Sequence, residues 1–175
     1  GAYLVGQHFS ETVTYTLRSE GEQQNWSEGV AAMQLGLKNP ISEDQTQLRH
    51  SLIPGMLESL RLNQSRKTGA TRFFETGRVF HEVNGKLVEM LSVAFLECSE
   101  GSARSWKERG TDDFYLAKKR TEILAGFAGI DIGRFGIKPI EGGDTAWQEG
   151  HAAVIDDPRA GILVEIGLMN LERIK

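Results

Sequence analysis

Residues 39–80 read NPISEDQTQLRHSLIPGMLESLRLNQSRKTGATRFFETGRVF, and they specify a helix followed by a strand. Pro54 is tolerated in the first turn of a helix, where its missing N–H would have no intrahelical partner. Ser51 suits the cap before that turn. The apolar side chains that recur on one face at helical spacing are Leu52, Ile53, Met56, Leu57 and Leu60. The chain returns as a strand over residues 71–80, and this helix-to-strand unit is the best specified part of the sequence.

Strand patterns lie on both sides of this unit. Residues 9–17 alternate, so that Phe9, Val13, Tyr15 and Leu17 share one face and hydroxyl side chains share the other. Residues 88–96 are apolar on both faces, which predicts a central strand covered on both sides. Asn84 and Gly85 before it predict a two-residue hairpin turn. Residues 135–140 predict a short strand, and residues 152–155 and 162–168 predict a second hairpin.

A second helix is predicted after a cap at Asp112 or Asp113, and Gly129 is expected to end it. The residues that mark its buried stripe are Leu116, Ile123, Leu124 and Phe127. The strands are joined mostly by hairpins or short loops, with two clear helices between them. This order predicts an α+β fold with an antiparallel β-sheet and argues against a parallel βαβ sheet.

Length and composition fit one globular domain over residues 1–175. Hydrophobic residues make up 39% and charged residues 25% of the chain, which argues against disorder. The net charge of -4 argues against a protein that coats nucleic acid, although a local basic patch stays open. Cys98 is the single cysteine, so an internal disulfide and a thiolate metal cluster are excluded. No apolar run reaches membrane-spanning length, and the chain is interpreted as a piece excised from a longer protein.

The sequence patterns that would indicate a catalytic, cofactor or metal site are weak. The sequence has no histidine pair at metal-ligand spacing, no G-x-S-x-G elbow and no dinucleotide or P-loop spacing, so no catalytic, cofactor or metal residue is predicted. Two features remain. The first is a basic set of Arg61, Arg66, Lys67, Arg72 and Arg78, which fits a solvated helix end or a contact with phosphates or an acidic partner. The second is Arg72 with Glu75 in a strand packed by helices, where a buried charge needs a partner and a site or interface is indicated.

Several ordered segments resemble the bacterial phenylalanyl-tRNA synthetase β chain. NPIS at 39–42, LRHSLIPGML at 48–57, NQSR at 63–66 and FETGRVF at 74–80 follow the family block NPIS…LR-SLLPGLL…N-NR…FE-GRVF. The segment GQHFSETVTY at 6–15 and the segment DFY at 113–115 resemble its flanks. The resemblance covers nearly the whole chain.

The resemblance implies a class II aminoacyl-tRNA synthetase-like fold, an antiparallel sheet flanked by helices. It also implies that the working site for ATP, phenylalanine and the tRNA end lies in the α chain. RFFE at 72–75 resembles a degenerate second class II motif, and no third motif appears before Lys175. The chain is therefore expected to be a catalytically silent, structural domain of phenylalanine–tRNA ligase that packs on the α subunit. The whole enzyme would be a cytoplasmic (αβ)₂ heterotetramer that charges tRNA(Phe) using ATP and Mg²⁺, with neither held by this domain.

Two alternatives stay open. One is a free-standing class II-like domain with its own adenylating activity, and the other is a tRNA-contacting module. The residues expected at a partner interface or a tRNA contact are Met56, Leu60, Arg66, Lys67, Arg72, Glu75 and Arg78. No membrane partner is expected.

Overall fold

A computed structural model describes residues 1–21, 35–67, 72–83, 85–98, 113–140, 147–157 and 161–169. The chain forms two compact units, Gly1–Ser102 (unit 1) and Ala103–Lys175 (unit 2). Each unit mixes helices with antiparallel strand pairs, in agreement with the predicted α+β class. The prediction of a single domain over the whole chain stays a prediction. None of the helices in the described ranges is long and apolar enough to cross a membrane.

Two helices and five strands of unit 1 lie complete within its described residues. In chain order these are α1 (Ala2–Gly6), β1 (Ser10–Glu11), β2 (Leu17–Arg18), β3 (Gln47–Leu48), α2 (Ile53–Ser65), β4 (Arg72–Val83) and β5 (Lys86–Glu97). The main sheet has the order β1-β4-β5, with β1 parallel and β5 antiparallel to β4. The parallel β1–β4 pair departs from the wholly antiparallel sheet predicted from the sequence. The strands β2 and β3 form a separate antiparallel pair.

Helix α2 forms where its sequence predicts, although its N-cap residue is Leu52, so the prediction of Ser51 as the cap is wrong by one position. Pro54 lies in the first turn, and the Oγ of Ser51 accepts a hydrogen bond from the Ile53 N–H at 3.2 Å. Leu52, Met56 and Leu60 are buried. The prediction of a helix followed by a strand is therefore confirmed, with the apolar stripe facing the interior of unit 1.

The β4–β5 hairpin is paired from Arg72 and Glu97 at one end to Val83 and Lys86 at the other. Gly85 adopts a φ of 76°, a conformation that suits glycine in a tight turn. The hairpin prediction is confirmed, although Asn84 lies outside the described residues.

Strand β5 lies at the edge of the described sheet, not at its centre. The exposed fractions of Leu87, Leu91 and Val93 are 56%, 75% and 50%. The prediction that both faces of this strand are covered is therefore wrong for the part of unit 1 that the structure describes. Apolar composition indicated burial, but burial depends on which elements pack on a strand, and composition does not specify that.

The predicted strand over residues 9–17 divides into β1 and β2, with residues 12–16 between them. The Thr12 N–H still donates to the Phe74 carbonyl at 2.8 Å. The Thr14 N–H donates instead to a side-chain oxygen, Oε1 of Glu75, at 3.3 Å. The ladder between β1 and β4 ends there because a carboxylate takes the place of the next backbone acceptor.

Unit 2 packs one long helix against a three-stranded antiparallel sheet. Its elements are α3 (Asp113–Phe127), a 3₁₀ turn (Ile132–Arg134), β6 (Ile137–Pro139), β7 (Trp147–Asp157) and β8 (Gly161–Met169), with sheet order β6-β7-β8. Its core consists of Ile132, Ile155 and Ile166, with Phe114, Ala117, Ala125, Phe135 and Val164 packed against them. The predicted short strand and second hairpin are confirmed.

Phe127 was predicted to belong to the buried stripe of α3, and this is wrong, since its exposed fraction is 74%. The inward positions of the helix include Ala117 and Ala125. Phe127 follows Ala125 by two residues, which is about 200° around a helix of 3.6 residues per turn. Gly129, with a φ of 76°, lies just beyond the helix, as expected for its end.

Candidate protein interface

A buried ion pair joins strand β4 to the segment that precedes helix α2. Nη1 of Arg49 lies 2.7 Å from Oε1 of Glu75, and the exposed fractions of the two side chains are 6% and 2%. The sequence indicates Arg72 as the companion of Glu75. The partner is instead Arg49, which the sequence did not single out because the two residues lie 26 positions apart.

Thr14 completes this network from a third direction. Its Oγ1 lies 2.8 Å from Oε2 of Glu75 and 3.0 Å from Nη1 of Arg49, which also donates to the Thr14 carbonyl at 3.2 Å. Nε of Arg49 donates to the Arg78 carbonyl at 2.9 Å. Both carboxylate oxygens of Glu75 have hydrogen-bond partners, so this buried charge is compensated in the way that burial requires.

Two glycines lie at positions where a larger side chain would overlap the network. A Cβ added to Gly77 would collide with Nη2 of Arg49, and a Cβ added to Gly55 would collide with Oγ1 of Thr14. Gly77 lies in β4 and Gly55 in the first turns of α2. Strand, helix and residues 12–16 are therefore fitted together around one charged pair.

The network inverts the usual arrangement of a surface segment, in which apolar side chains face inward and polar side chains face outward. Thr14 faces inward to Arg49 and Glu75, and Oγ1 of Thr12 donates to the Phe74 carbonyl at 3.2 Å. Val13 and Tyr15 consequently face outward, with exposed fractions of 92% and 73%. We call this surface the Val13–Tyr15 edge, and it was not among the sites that the sequence indicated.

Among the described residues, the backbone of this segment has hydrogen-bond partners on its inner side only. The Thr12 N–H and the Thr16 carbonyl bond to Phe74 and Arg49. In an extended chain, alternate residues direct their backbone groups to opposite sides. No hydrogen bond joins the N–H or carbonyl groups of Val13 and Tyr15 to any described residue. An unpaired edge of this kind can accept another strand.

The structure places the residues predicted at an interface in different environments. Met56 and Leu60, with exposed fractions of 0% and 9%, lie in the interior with Glu75, which leaves them almost no surface for a partner. Nε of Arg72 lies 2.6 Å from Oε1 of Glu97, and its guanidinium carbon lies 6.0 Å from the centroid of the Phe9 ring.

The remaining predicted residues are exposed. Nη1 of Arg78 lies 2.5 Å from Oε1 of Glu89 on β5. Arg66 and Lys67 follow α2 directly, and neither forms an ion pair with a described residue. Burial lowers the pKa of His81 on β4 below its ordinary value, because the charged imidazolium loses hydration there. Within the described ranges, no group of three or more His, Cys, Asp or Glu side chains could hold a metal ion.

The chain is similar in sequence to known proteins over most of its length. The sequence model of the family described as "Phenylalanyl tRNA synthetase beta chain CLM domain" matches residues 1–169. The phenylalanine–tRNA ligase beta subunit of Pseudomonas fluorescens is 31% identical over 155 residues, which cover 87% of this chain and 19% of that protein. The beta subunit from Novosphingobium aromaticivorans is 34% identical over 116 residues, covering 66% of this chain and 14% of that protein. The chain therefore spans less than a fifth of the length of these curated relatives.

A solved structure shares the fold. The pyrrolysyl tRNA synthetase PylSc of Desulfitobacterium hafniense aligns with a TM-score of 0.56, covering 94% of this chain and 52% of that chain. The two sequences are 17% identical, so this likeness concerns the fold alone.

Proposed function

Because the chain belongs to the phenylalanyl-tRNA synthetase β chain family, in the part described as the CLM domain, we propose that it is a structural, catalytically silent domain of a phenylalanine–tRNA ligase. In this proposal the domain has a class II-like fold and packs on the α subunit of a cytoplasmic (αβ)₂ enzyme. It supports the ATP-dependent charging of tRNA(Phe), and the α subunit provides the sites for ATP, Mg²⁺ and phenylalanine.

The buried Arg49–Glu75–Thr14 network is the observation that supports a catalytically silent domain. An adenylating site needs cationic groups that are free to bind phosphate oxygens as charge develops in the transition state. Arg49 instead donates to Glu75, to Thr14 and to the Arg78 carbonyl. Arg72 and Arg78 are neutralised by glutamates on β5. The arginines on and around β4 thus support assembly of unit 1 more directly than they support chemistry.

Isothermal titration of the full-length β chain with ATP, Mg²⁺ and phenylalanine tests the silence of the domain. We expect no micromolar binding of ATP by the β chain alone and clear binding by the assembled αβ enzyme, which is the control. Specific micromolar ATP binding by the β chain, weakened by Arg72→Ala, would support the adenylating alternative instead.

A tRNA contact is the second candidate function, and the exposed cations of Arg66 and Lys67 favour it. If they bind phosphates, the variants Arg66→Glu and Lys67→Glu should weaken tRNA binding and make it less dependent on salt. The slope of log K against log salt should fall by roughly 0.7–0.9 for each lost phosphate contact. Lys38→Glu, at another exposed position, is the matched control. Unchanged tRNA affinity in both variants would remove this candidate.

A further inference from the structure

We propose that the buried Arg49–Glu75 pair is a conformational device that fixes which face of residues 12–16 is turned inward. The pair holds the Thr14 side chain against β4 and thereby keeps the Val13–Tyr15 edge on the surface. Without the pair, the segment adopts the opposite arrangement, with its apolar side chains inward. This inference concerns contacts within unit 1 and does not depend on the proposed function.

The alternation of side chains that begins at Phe9 is broken before residue 13. Phe9 is 3% exposed, and its ring packs edge-on against that of Phe95, with 5.9 Å between the two centroids. Side chains alternate along an extended chain, so a regular continuation from Phe9 would also bury Val13, four residues later. Val13 is instead 92% exposed. The hydrophobic pattern alone therefore does not explain which face of the segment is inward.

Packing excludes Tyr15 from the inward position but does not exclude Val13. The Thr14 side chain lies so close to the backbone of α2 that a Cβ added to Gly55 would overlap it. The ring of Tyr15 is too large for this space. Valine and threonine, however, are both β-branched and have nearly the same shape. Shape therefore does not distinguish Val13 from Thr14, and the hydrophobic effect favours the burial of Val13.

The charged pair supplies the distinction that shape does not. The Thr14 hydroxyl donates to Oε2 of Glu75 at 2.8 Å and accepts from Nη1 of Arg49 at 3.0 Å. A valine side chain can do neither, and in this position it would take the hydroxyl donor away from a carboxylate that is only 2% exposed. Leaving a buried charged group short of a hydrogen bond is costly, more so than leaving a neutral one. The pair therefore selects the residue that carries a hydroxyl.

The test measures which face of the segment is inward in the full-length β chain, without other subunits. Val13→Cys introduces a thiol, and peptide mass spectrometry follows its alkylation. With the pair intact, this thiol should react about as fast as the one introduced by Ile41→Cys, because Ile41 is 91% exposed. Replacing the pair by apolar residues of similar length, Arg49→Met with Glu75→Leu, should turn the thiol inward and slow its alkylation by about tenfold or more.

A second pair of variants leaves every charge in place. Thr14→Ser keeps the hydroxyl and Thr14→Val keeps the shape, and each is combined with Val13→Cys. The thiol should stay fast-reacting beside serine. Beside valine its alkylation should slow by about threefold or more, because the hydroxyl that the charged pair selects is gone. A cooperative urea transition verifies that each variant is folded.

Three outcomes would overturn the inference. The first is a thiol at position 13 that is already protected while the charged pair is intact. The second is equally fast alkylation with and without the pair in folded variants, which would mean that other contacts hold the segment. If the variant without the pair does not fold, the comparison of Thr14→Val with Thr14→Ser decides, and equal rates in those two variants are the third. None of these outcomes bears on the proposed function, which the ATP titration tests separately.

Discussion

Two of the arginine–glutamate pairs to which strand β4 contributes have the same chemistry but opposite surroundings. The Arg49–Glu75 pair has a nitrogen–oxygen distance of 2.7 Å and the Arg78–Glu89 pair has one of 2.5 Å. The side chains of the first pair are 6% and 2% exposed, whereas those of the second are 68% and 47% exposed. Glu75 and Arg78 lie on opposite faces of β4, because successive side chains of a strand alternate. The distances alone therefore give no indication of how much each pair matters to stability.

The two pairs differ in their contribution to stability because one is exposed to solvent and the other is buried. Around the exposed pair, water screens the attraction and hydrates either partner when the other is removed, so such pairs contribute little. Around the buried pair, a partner left alone keeps its charge in a medium that solvates it poorly. The buried pair is thus costly to break, even where replacing both members by apolar residues would cost little.

The largest effect is expected for Glu75→Ala. Removing this carboxylate leaves the Arg49 guanidinium without its counter-charge and takes two hydrogen bonds from Thr14. We expect the free energy of unfolding to fall by about 3–5 kcal/mol. Urea denaturation of the chain measures this loss. Glu89→Ala is the matched control in the exposed pair and should cost no more than about 1 kcal/mol. Equal losses in the two variants would contradict the contrast between the two pairs.

A smaller loss is expected for Gly77→Ala, which leaves every charge in place. The added methyl group collides with Nη2 of Arg49 and forces the guanidinium out of its position. Overpacking of this kind costs about 1–3 kcal/mol, again measurable by urea denaturation.

Gly126→Ala is the control for Gly77→Ala. A Cβ at Gly126 meets nothing within 4 Å, and the residue lies in the last turn of α3. Alanine there should stabilise the helix by up to about 1 kcal/mol. A neutral result for Gly77→Ala would mean that Arg49 can relax without weakening its bond to Glu75.

The smallest effect is expected for the exposed pair itself. A double-mutant cycle with Arg78→Ala and Glu89→Ala should give a coupling free energy of about 0.2–1 kcal/mol at low salt. The coupling should decrease further in about 1 M salt, where the screening length is only about 3 Å. Coupling above about 2 kcal/mol that resists salt would show that the pair is shielded from water in solution.

Local sequence signals predicted much of the fold. The helical spacing around Met56 predicted α2, and the Asn84-Gly85 signal predicted the β4–β5 hairpin. Both signals depend on residues close together in sequence, whose geometry is fixed by backbone preferences. The ordered match to the synthetase β chain likewise predicted the family to which the chain belongs.

The missed features depend on residues that are distant in sequence. The hydrogen bond between Thr14 and Glu75 joins positions 61 apart, so no spacing could indicate it. For residues 9–17, alternation identified two faces but did not say which one is inward, and the threonine face is the one that Arg49 and Glu75 bond to. The fit of Gly77 against Arg49 depends on the same distant approach.

The parallel pairing of β1 with β4 has a consequence for how unit 1 folds. The Thr12 hydroxyl and its acceptor on Phe74 lie 62 residues apart, so their contact closes a long loop, whereas the β4–β5 hairpin closes over its own turn. Hairpins form within about 1–10 μs, and distant contacts must first overcome the entropy of loop closure. We therefore expect the hairpin to form early and residues 12–16 to settle on it late. During synthesis on the ribosome the delay before residues 12–16 can pair is longer. These residues are made before β4, and they have no strand to pair with until β4 has been synthesised.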